Sequence, residues 1–310
     1  MKQTTDTILM IEPVAFYFNA ETAENNFFQK QTTEDQGKIQ AKALSEFNDM
    51  VQLLRDKGIT VITVKDTLKP HTPDSIFPNN WISMHSDGLV GIFPMYAENR
   101  RTERREDVLD ILEDEGYIIS SVIDYSSAEE EGIFLEGTGS LILDRENRLA
   151  YVALSARSDE DLVIEFCEDF EYTPIIFNAN QTVNGHRVPI YHTNVMMCVA
   201  ENYVVICLDT IDNKSERKMV VETILASGKE IVKISEEQMH QFAGNMLQIT
   251  NGEENFLVMS KTAFESLNDD QIAQIERHDK ILTPDIPTIE MLGGGSVRCM
   301  MAEVFLPKEQ

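Results

Sequence analysis

The stretch Asp49-Met50-Val51-Gln52-Leu53-Leu54-Arg55-Asp56-Lys57-Gly58-Ile59-Thr60-Val61-Ile62-Thr63-Val64 reads as the end of a helix, a glycine cap and a strand. The helical part begins near Lys38, with Ile39, Phe47, Val51 and Leu54 on one side. The same phrase recurs down the chain. Glu103 to Glu115, with Val108, Ile111 and Leu112 inward, passes through Gly116 into Tyr117 to Ile123, and Asp159 to Phe170 precedes Thr173 to Phe177. Ser215 to Ser227 passes through Gly228 into Lys229 to Ile234, and Asp269 to Asp279 precedes Lys280 to Pro284. The strands start at 59, 117, 173, 229 and 280, steps of 58, 56, 56 and 51 residues. A near-constant period of that size marks an architecture built from repeats.

Each unit also carries a hairpin, two β-rich runs around a turn-forming stretch. The runs are Trp81 to Phe93 around Ser86-Asp87-Gly88, Gly139 to Leu154 around Asp144 to Asn147, Val188 to Leu208 around Glu201-Asn202, and Met246 to Met259 around Asn251-Gly252. The last unit has only Ser296 to Phe305 before the chain stops, and the N-terminal run Thr7 to Phe16 is its expected partner. The expectation is one α/β domain over 1–310, with repeats near 38–100, 101–156, 157–210, 211–262 and 263–310 and residues 1–20 closing the ring.

Composition narrows the function. The 310 residues carry 26 Lys and Arg against 53 Asp and Glu, a formal charge of −27. A carboxylate surplus repels a polyphosphate, which argues against nucleic acid as partner. The apolar run Ile8 to Phe18 is broken by Glu12 and Pro13, so it is neither a signal-peptide core nor a membrane span, and the expected location is the cytoplasm. Cys167, Cys198, Cys207 and Cys299 show no paired spacing for a disulfide framework or a zinc site. His71, His85, His186, His240 and His278 fit no metal-binding spacing and read as surface or local hydrogen-bonding groups. Gly293-Gly294-Gly295 matches neither phosphate-binding glycine fingerprint. No metal, nucleotide or flavin is expected, and a homo-oligomer is left open.

Pseudo-symmetry indicates where chemistry converges. Equivalent positions in successive units are Asn80, Glu136, His192, Asn245 and Cys299, separated by 56, 56, 53 and 54 residues. Taken singly, each has a bland reading: a buried cysteine is usually a small hydrophobe, a buried histidine a satisfied polar group. In register, a thiol, an imidazole and a carboxylate form a candidate nucleophilic site of Cys299, His192 and Glu136. Glu136 stands in Phe134-Leu135-Glu136-Gly137-Thr138-Gly139, and a carboxylate within an apolar run needs a partner. Cys167, Cys198 and Cys207 read as core.

At these residues the sequence resembles the guanidino-group-modifying, or pentein, superfamily of arginine deiminases, dimethylarginine dimethylaminohydrolases and amidinotransferases. The resemblance spans nearly the whole chain and implies a five-bladed αβ propeller with pseudo-fivefold symmetry. The glycine-rich run into Cys299 resembles the family's nucleophile motif, His192 its general acid/base, and Glu136-Gly137 its substrate-binding acid. Asp74-Ser75-Ile76-Phe77-Pro78-Asn79-Asn80-Trp81 is similar to its D-x-x-F-x-x-D substrate segment, which implies roles for Asp74, Phe77 and Asn80. Leu154-Ser155-Ala156-Arg157-Ser158 is similar to the motif whose arginine holds a substrate α-carboxylate, and Arg100-Arg101-Thr102-Glu103 to a segment near the entrance, with Arg101 as a second carboxylate partner.

The departures bear on substrate. Asn80 stands where arginine-specific members carry a second carboxylate, and Asn194 where deiminases read H-x-D. A guanidinium has donors only and favours anionic acceptors, whereas an amide matches a neutral ureido group. With Asn245 in Phe242-Ala243-Gly244-Asn245-Met246, the chain is most similar to the citrulline-utilisation hydrolases. The implied reaction takes a small amino-acid substrate, citrulline, to ornithine, CO2 and ammonia through a covalent cysteine intermediate and without cofactor. The alternatives are an amidinotransferase that passes the group to an amine, or a silent member of the fold that binds an amino acid.

Overall fold

A computed structural model describes residues 1–309. Its recurring element is a three-stranded sheet in which the first and second strands pair antiparallel and the second and third parallel. One such sheet comprises β3 (Ile82–Met84), β4 (Leu89–Ile92) and β5 (Ser121–Asp124). The next comprises β6 (Ile142–Asp144), β7 (Leu149–Ala153) and β8 (Thr173–Phe177). A separate hairpin follows, β9 (Asn180–Val183) with β10 (His186–Pro189). Two further sheets are β11 (Met197–Val199), β12 (Tyr203–Ile206), β13 (Glu230–Lys233) and then β14 (Leu247–Thr250), β15 (Asn255–Val258), β16 (Lys280–Leu282). The remaining sheet draws on both ends of the chain: β17 (Ala302–Glu303) pairs antiparallel with β1 (Thr7–Glu12), which pairs parallel with β2 (Thr60–Lys65).

Parallel neighbours need a crossover, and in each of the five three-stranded sheets a helix supplies it between the second and third strands. These helices are Gln36–Asp56, Glu106–Asp114, Glu160–Asp169, Lys214–Ala226 and Asp269–Glu276. Their starts are specified locally. The Asp35 carboxylate accepts from the backbone N–H of Lys38, the Asn213 side chain from Ser215, and Asn268 with Gln271 forms a reciprocal cap. The inner face of the longest helix, with Ile39, Ala43, Phe47, Met50 and Leu54, is buried against Ile8, Met10 and Val61 of β1 and β2. Each such large apolar side chain contributes about 1.5–3 kcal/mol of burial. The first strands lie next to one another, β17 by β3, β6 by β11 and β11 by β14.

Three elements differ from expectation. Glu103 to Glu115 is not one helix: Glu98–Arg101 and Glu106–Asp114 flank a break, because Glu103 turns inward to pair with Arg100. The run expected from Val188 divides, and β9 and β10 form their own hairpin around Asn184-Gly185, both at positive φ. Ser296 to Phe305 is not a continuous strand. The helix Pro287–Gly293 ends at left-handed Gly294 (φ 63°), the chain turns through Cys299, and only Ala302–Glu303 joins the sheet. The Cys299 N–H is taken by the Ser296 carbonyl at 3.0 Å, a turn bond that removes it from any ladder. Among the described residues no helix is long and apolar enough to cross a membrane.

Candidate active site

Asn80, Glu136, His192, Asn245 and Cys299 all lie just ahead of the first strand of their sheet, so the repeated connection delivers them to one region. All five are buried. A narrow cavity there is lined by Asp74, Phe77, Asn80, Arg100, Arg157, Tyr191, His192 and Cys299, together with Thr22, Asn26, Gly293 and Gly295.

The Cys299 sulfur accepts two amide N–H groups, from Asn194 Nδ2 at 3.3 Å and Asn245 Nδ2 at 3.2 Å. Asn245 is itself oriented, because its Oδ1 accepts the Arg298 backbone N–H at 3.0 Å. Burial pushes the thiols of Cys167, Cys198 and Cys207 up to about 12.

His192 Nε2 lies 2.6 Å from Glu136 Oε2, and the same oxygen meets Arg157 Nη1 at 3.3 Å. The other oxygen, Oε1, accepts the Tyr96 backbone N–H at 3.0 Å. Burial opposes ionisation of Glu136, but Arg157 and then His192 outweigh it and hold the carboxyl well below the usual carboxylate range. Burial lowers His192 to about 4, with the bond to Glu136 pulling the other way. The imidazole is therefore neutral at physiological pH. A carboxylate only accepts, so Nε2 carries the proton and Nδ1 is left as a base. A Cβ added at Gly139 would come within 2.4 Å of Asn80 Nδ2 and 2.9 Å of His192 Nδ1, so only glycine leaves both groups their space.

Arg100 and Glu103 form a buried pair beside Asn80. Arg100 Nη2 donates to Glu103 Oε2 at 2.9 Å, its Nε to Oε1 at 3.0 Å, and its Nη1 to Asn80 Oδ1 at 2.9 Å. Asn80 Nδ2 is then buried with no partner, as is Asp74 Oδ1. The other Asp74 oxygen accepts from Asn19 at 2.8 Å and Thr22 at 3.0 Å. Burial raises the Asp74 carboxyl against the pull of Arg100.

Asp74, Phe77, Asn80, His192 and Cys299 thus line one cavity, and Glu136 stands behind His192. The expected carboxylate clamp differs. Arg101 is outside the cavity, with its Nε on the Met95 carbonyl at 3.1 Å and its guanidinium over the Phe134 ring; its neighbour Arg100 points inward instead. The i,i+3 spacing of Arg100 and Glu103 was the available signal. Arg157 lines the cavity, but its donors go to Glu136, to Asn25 Oδ1 at 2.9 Å and to the Thr22 carbonyl at 3.0 Å. Asn194 and Asn245, expected to touch substrate, touch the sulfur. Tyr191, whose hydroxyl donates to the Gly294 carbonyl at 2.7 Å, and the 19–29 segment had no motif to reveal them. Among the described residues no group of three or more His, Cys, Asp or Glu is placed to hold a metal ion.

A thiol held by two amides and an imidazole held by a carboxylate, delivered by five repeated αβ units, form a candidate nucleophilic site. The family model described as N,N dimethylarginine dimethylhydrolase, eukaryotic, matches residues 12–306. The chain belongs to that family, within the guanidino-group-modifying pentein superfamily. No curated protein matches it by sequence. Among solved structures it is similar to ArgZ, an arginine dihydrolase from the ornithine-ammonia cycle in cyanobacteria, at 16% identity and TM-score 0.74; 98% of this chain is covered but 41% of ArgZ. The chain thus spans about two-fifths of ArgZ. The N-terminal domain of ArgZ bound to substrate matches at 16% identity and TM-score 0.72, covering 97% of this chain and 99% of that domain. A cysteine-to-serine variant of the DDAH of Pseudomonas aeruginosa, complexed with citrulline, matches at 15% identity and TM-score 0.63, covering 97% and 99%.

Proposed function

We propose that the protein hydrolyses a ureido group, taking citrulline to ornithine, carbon dioxide and ammonia, with Cys299 as nucleophile, His192 as acid and base, and Glu136 as the acid that orients them. The observation that carries this reading is the Asn80 amide. Arg100 can only donate, so Asn80 presents oxygen to it and leaves N–H2 without a partner. A guanidinium has no acceptor for that donor, whereas the C=O of a ureido group does. Asp74 Oδ1, an unpartnered acceptor, suits the ureido N–H groups.

In this mechanism the Cys299 thiolate forms an S–C bond to the ureido carbon. His192 delivers the proton taken from the thiol to the departing nitrogen as the C–N bond breaks, and ornithine leaves. Water, deprotonated by His192, attacks the carbamoyl thioester; the S–C bond breaks, the thiol regains a proton, and carbamate falls to carbon dioxide and ammonia. Asn194 and Asn245 stabilise sulfur as the leaving group. The reading treats residues 1–310 as one domain whose five sheets are propeller blades around this site, supported by their shared strand order.

The test is release of ornithine and ammonia from citrulline, arginine, methylated arginines and agmatine, with and without glycine. Citrulline turnover independent of glycine, lost in Cys299→Ser without loss of fold, is expected. Turnover of guanidino compounds alone, or only with an amine acceptor, refutes the hydrolysis of citrulline.

A further inference from the structure

Asn80 lines the cavity, with its Oδ1 on Arg100 and its Nδ2 buried without a partner beside Gly139, and the two ends of the amide suit opposite substrates. Nothing in Asn80 itself chooses between them. The choice is made by Arg100, every nitrogen of which is already committed: Nε and Nη2 to Glu103, Nη2 also to the Phe77 carbonyl at 3.2 Å, and Nη1 to Asn80 Oδ1. The Arg100 and Glu103 side chains are both out of solvent, so the guanidinium is anchored by a planar fork and has no water to turn toward. Flipping the amide would set N–H2 against N–H inside the protein.

We infer that Arg100 is a positioning residue that selects ureido over guanidino substrates by fixing which atom of the Asn80 amide faces the cavity. The inference rests on the citrulline reading and adds where the selection is made: one residue away from the substrate, in the Arg100–Glu103 pair. Gly139 preserves the outcome, since any Cβ there would collide with the presented Nδ2. A residue at 100 that does not donate would release the amide to rotate, and its oxygen could then accept from a guanidinium.

The experiment measures kcat/KM for L-citrulline and L-arginine in the wild type, Arg100→Lys, Asn80→Asp, and the double variant Arg100→Met with Glu103→Leu, which removes both charges together and so avoids a lone buried carboxylate. The double variant should lower the citrulline-to-arginine ratio by ~10- to 100-fold, the range for one buried donor correctly or wrongly paired. Arg100→Lys, which still donates, should hold the ratio within ~3-fold, because a lysine keeps the Asn80 oxygen turned toward residue 100 and the nitrogen toward the cavity. A merely structural role would depress both substrates alike and leave the ratio unchanged, and that result overturns the inference. If the double variant does not fold, Arg100→Gln with Glu103→Gln carries the same test, since both charges leave together and a neutral amide at 100 can meet either end of the Asn80 amide. A collapsed ratio in Asn80→Asp with an unchanged one in the Arg100 variants removes Arg100 and keeps the citrulline reading. A wild type that prefers arginine removes the reading itself.

Discussion

Replacing Arg157 by methionine separates two accounts of this residue. Family resemblance makes it a clamp for the substrate α-carboxylate, whereas its contacts make it a brace between Glu136 and the turn at Thr22 and Asn25. Arg157 is 1% exposed and Glu136 0%, so the methionine variant would leave a carboxylate buried without its cation. Breaking such a pair from one side costs about 3–5 kcal/mol, because the surviving charge keeps its desolvation penalty. In a chain of this length ~1 kcal/mol is worth ~2 °C, so melting should fall by about 6–10 °C. Adding Glu136→Gln to the same protein removes the stranded charge. The double variant should therefore melt higher than the sum of the single losses, by a coupling of roughly 1–3 kcal/mol. Thermal melting of the wild type, both single variants and the double variant yields that coupling with no activity measurement. A methionine variant that melts within ~2 °C of the wild type, with a raised KM for citrulline, would refute the brace and restore the clamp.

The αβ phrase was legible because every crossover helix buries one apolar face and hands over to a β-rich run, and four of the five begin at a capping side chain; those signals are local. The five positions ahead of the first strands were legible for a related reason, since a near-constant spacing carries register without knowledge of contacts. Contacts between distant segments were not legible. Asn25 and Arg157 are 132 residues apart, and no period connects the 19–29 segment with any other unit. Arg101 was expected inward because the motif names two adjacent arginines, and only the helical turn that pairs Arg100 with Glu103 decides which one is buried. The strand expected through Cys299 failed because glycine and β-forming residues are compatible with a turn as well as a strand. What settled it was a left-handed helix cap at Gly294, which three consecutive glycines leave unspecified.

Gly139→Ala should cost about 1–3 kcal/mol of stability through overpacking and reduce kcat/KM by on the order of 100-fold through displacement of reacting groups. Activity near that of the wild type, with an unchanged fold by circular dichroism, would show that Asn80 and His192 do not crowd this backbone. A pH prediction follows from His192, whose folded value is about 4 against an ordinary 6.5. Because the folded value is the lower one, the unfolded chain binds the proton first as pH falls. The stabilisation from keeping the imidazole neutral is thus complete above pH 6.5 and is lost progressively toward pH 4; Glu136, also held below its ordinary range, adds in the same direction at lower pH. Melting measured from pH 7 to 4 should decline more steeply in the wild type than in His192→Gln. The acid limb of kcat/KM should lie below pH 5, where the free enzyme's imidazole becomes protonated. An acid limb centred near pH 6.5 would mean that His192 titrates as it does in water, which burial of the imidazole does not permit.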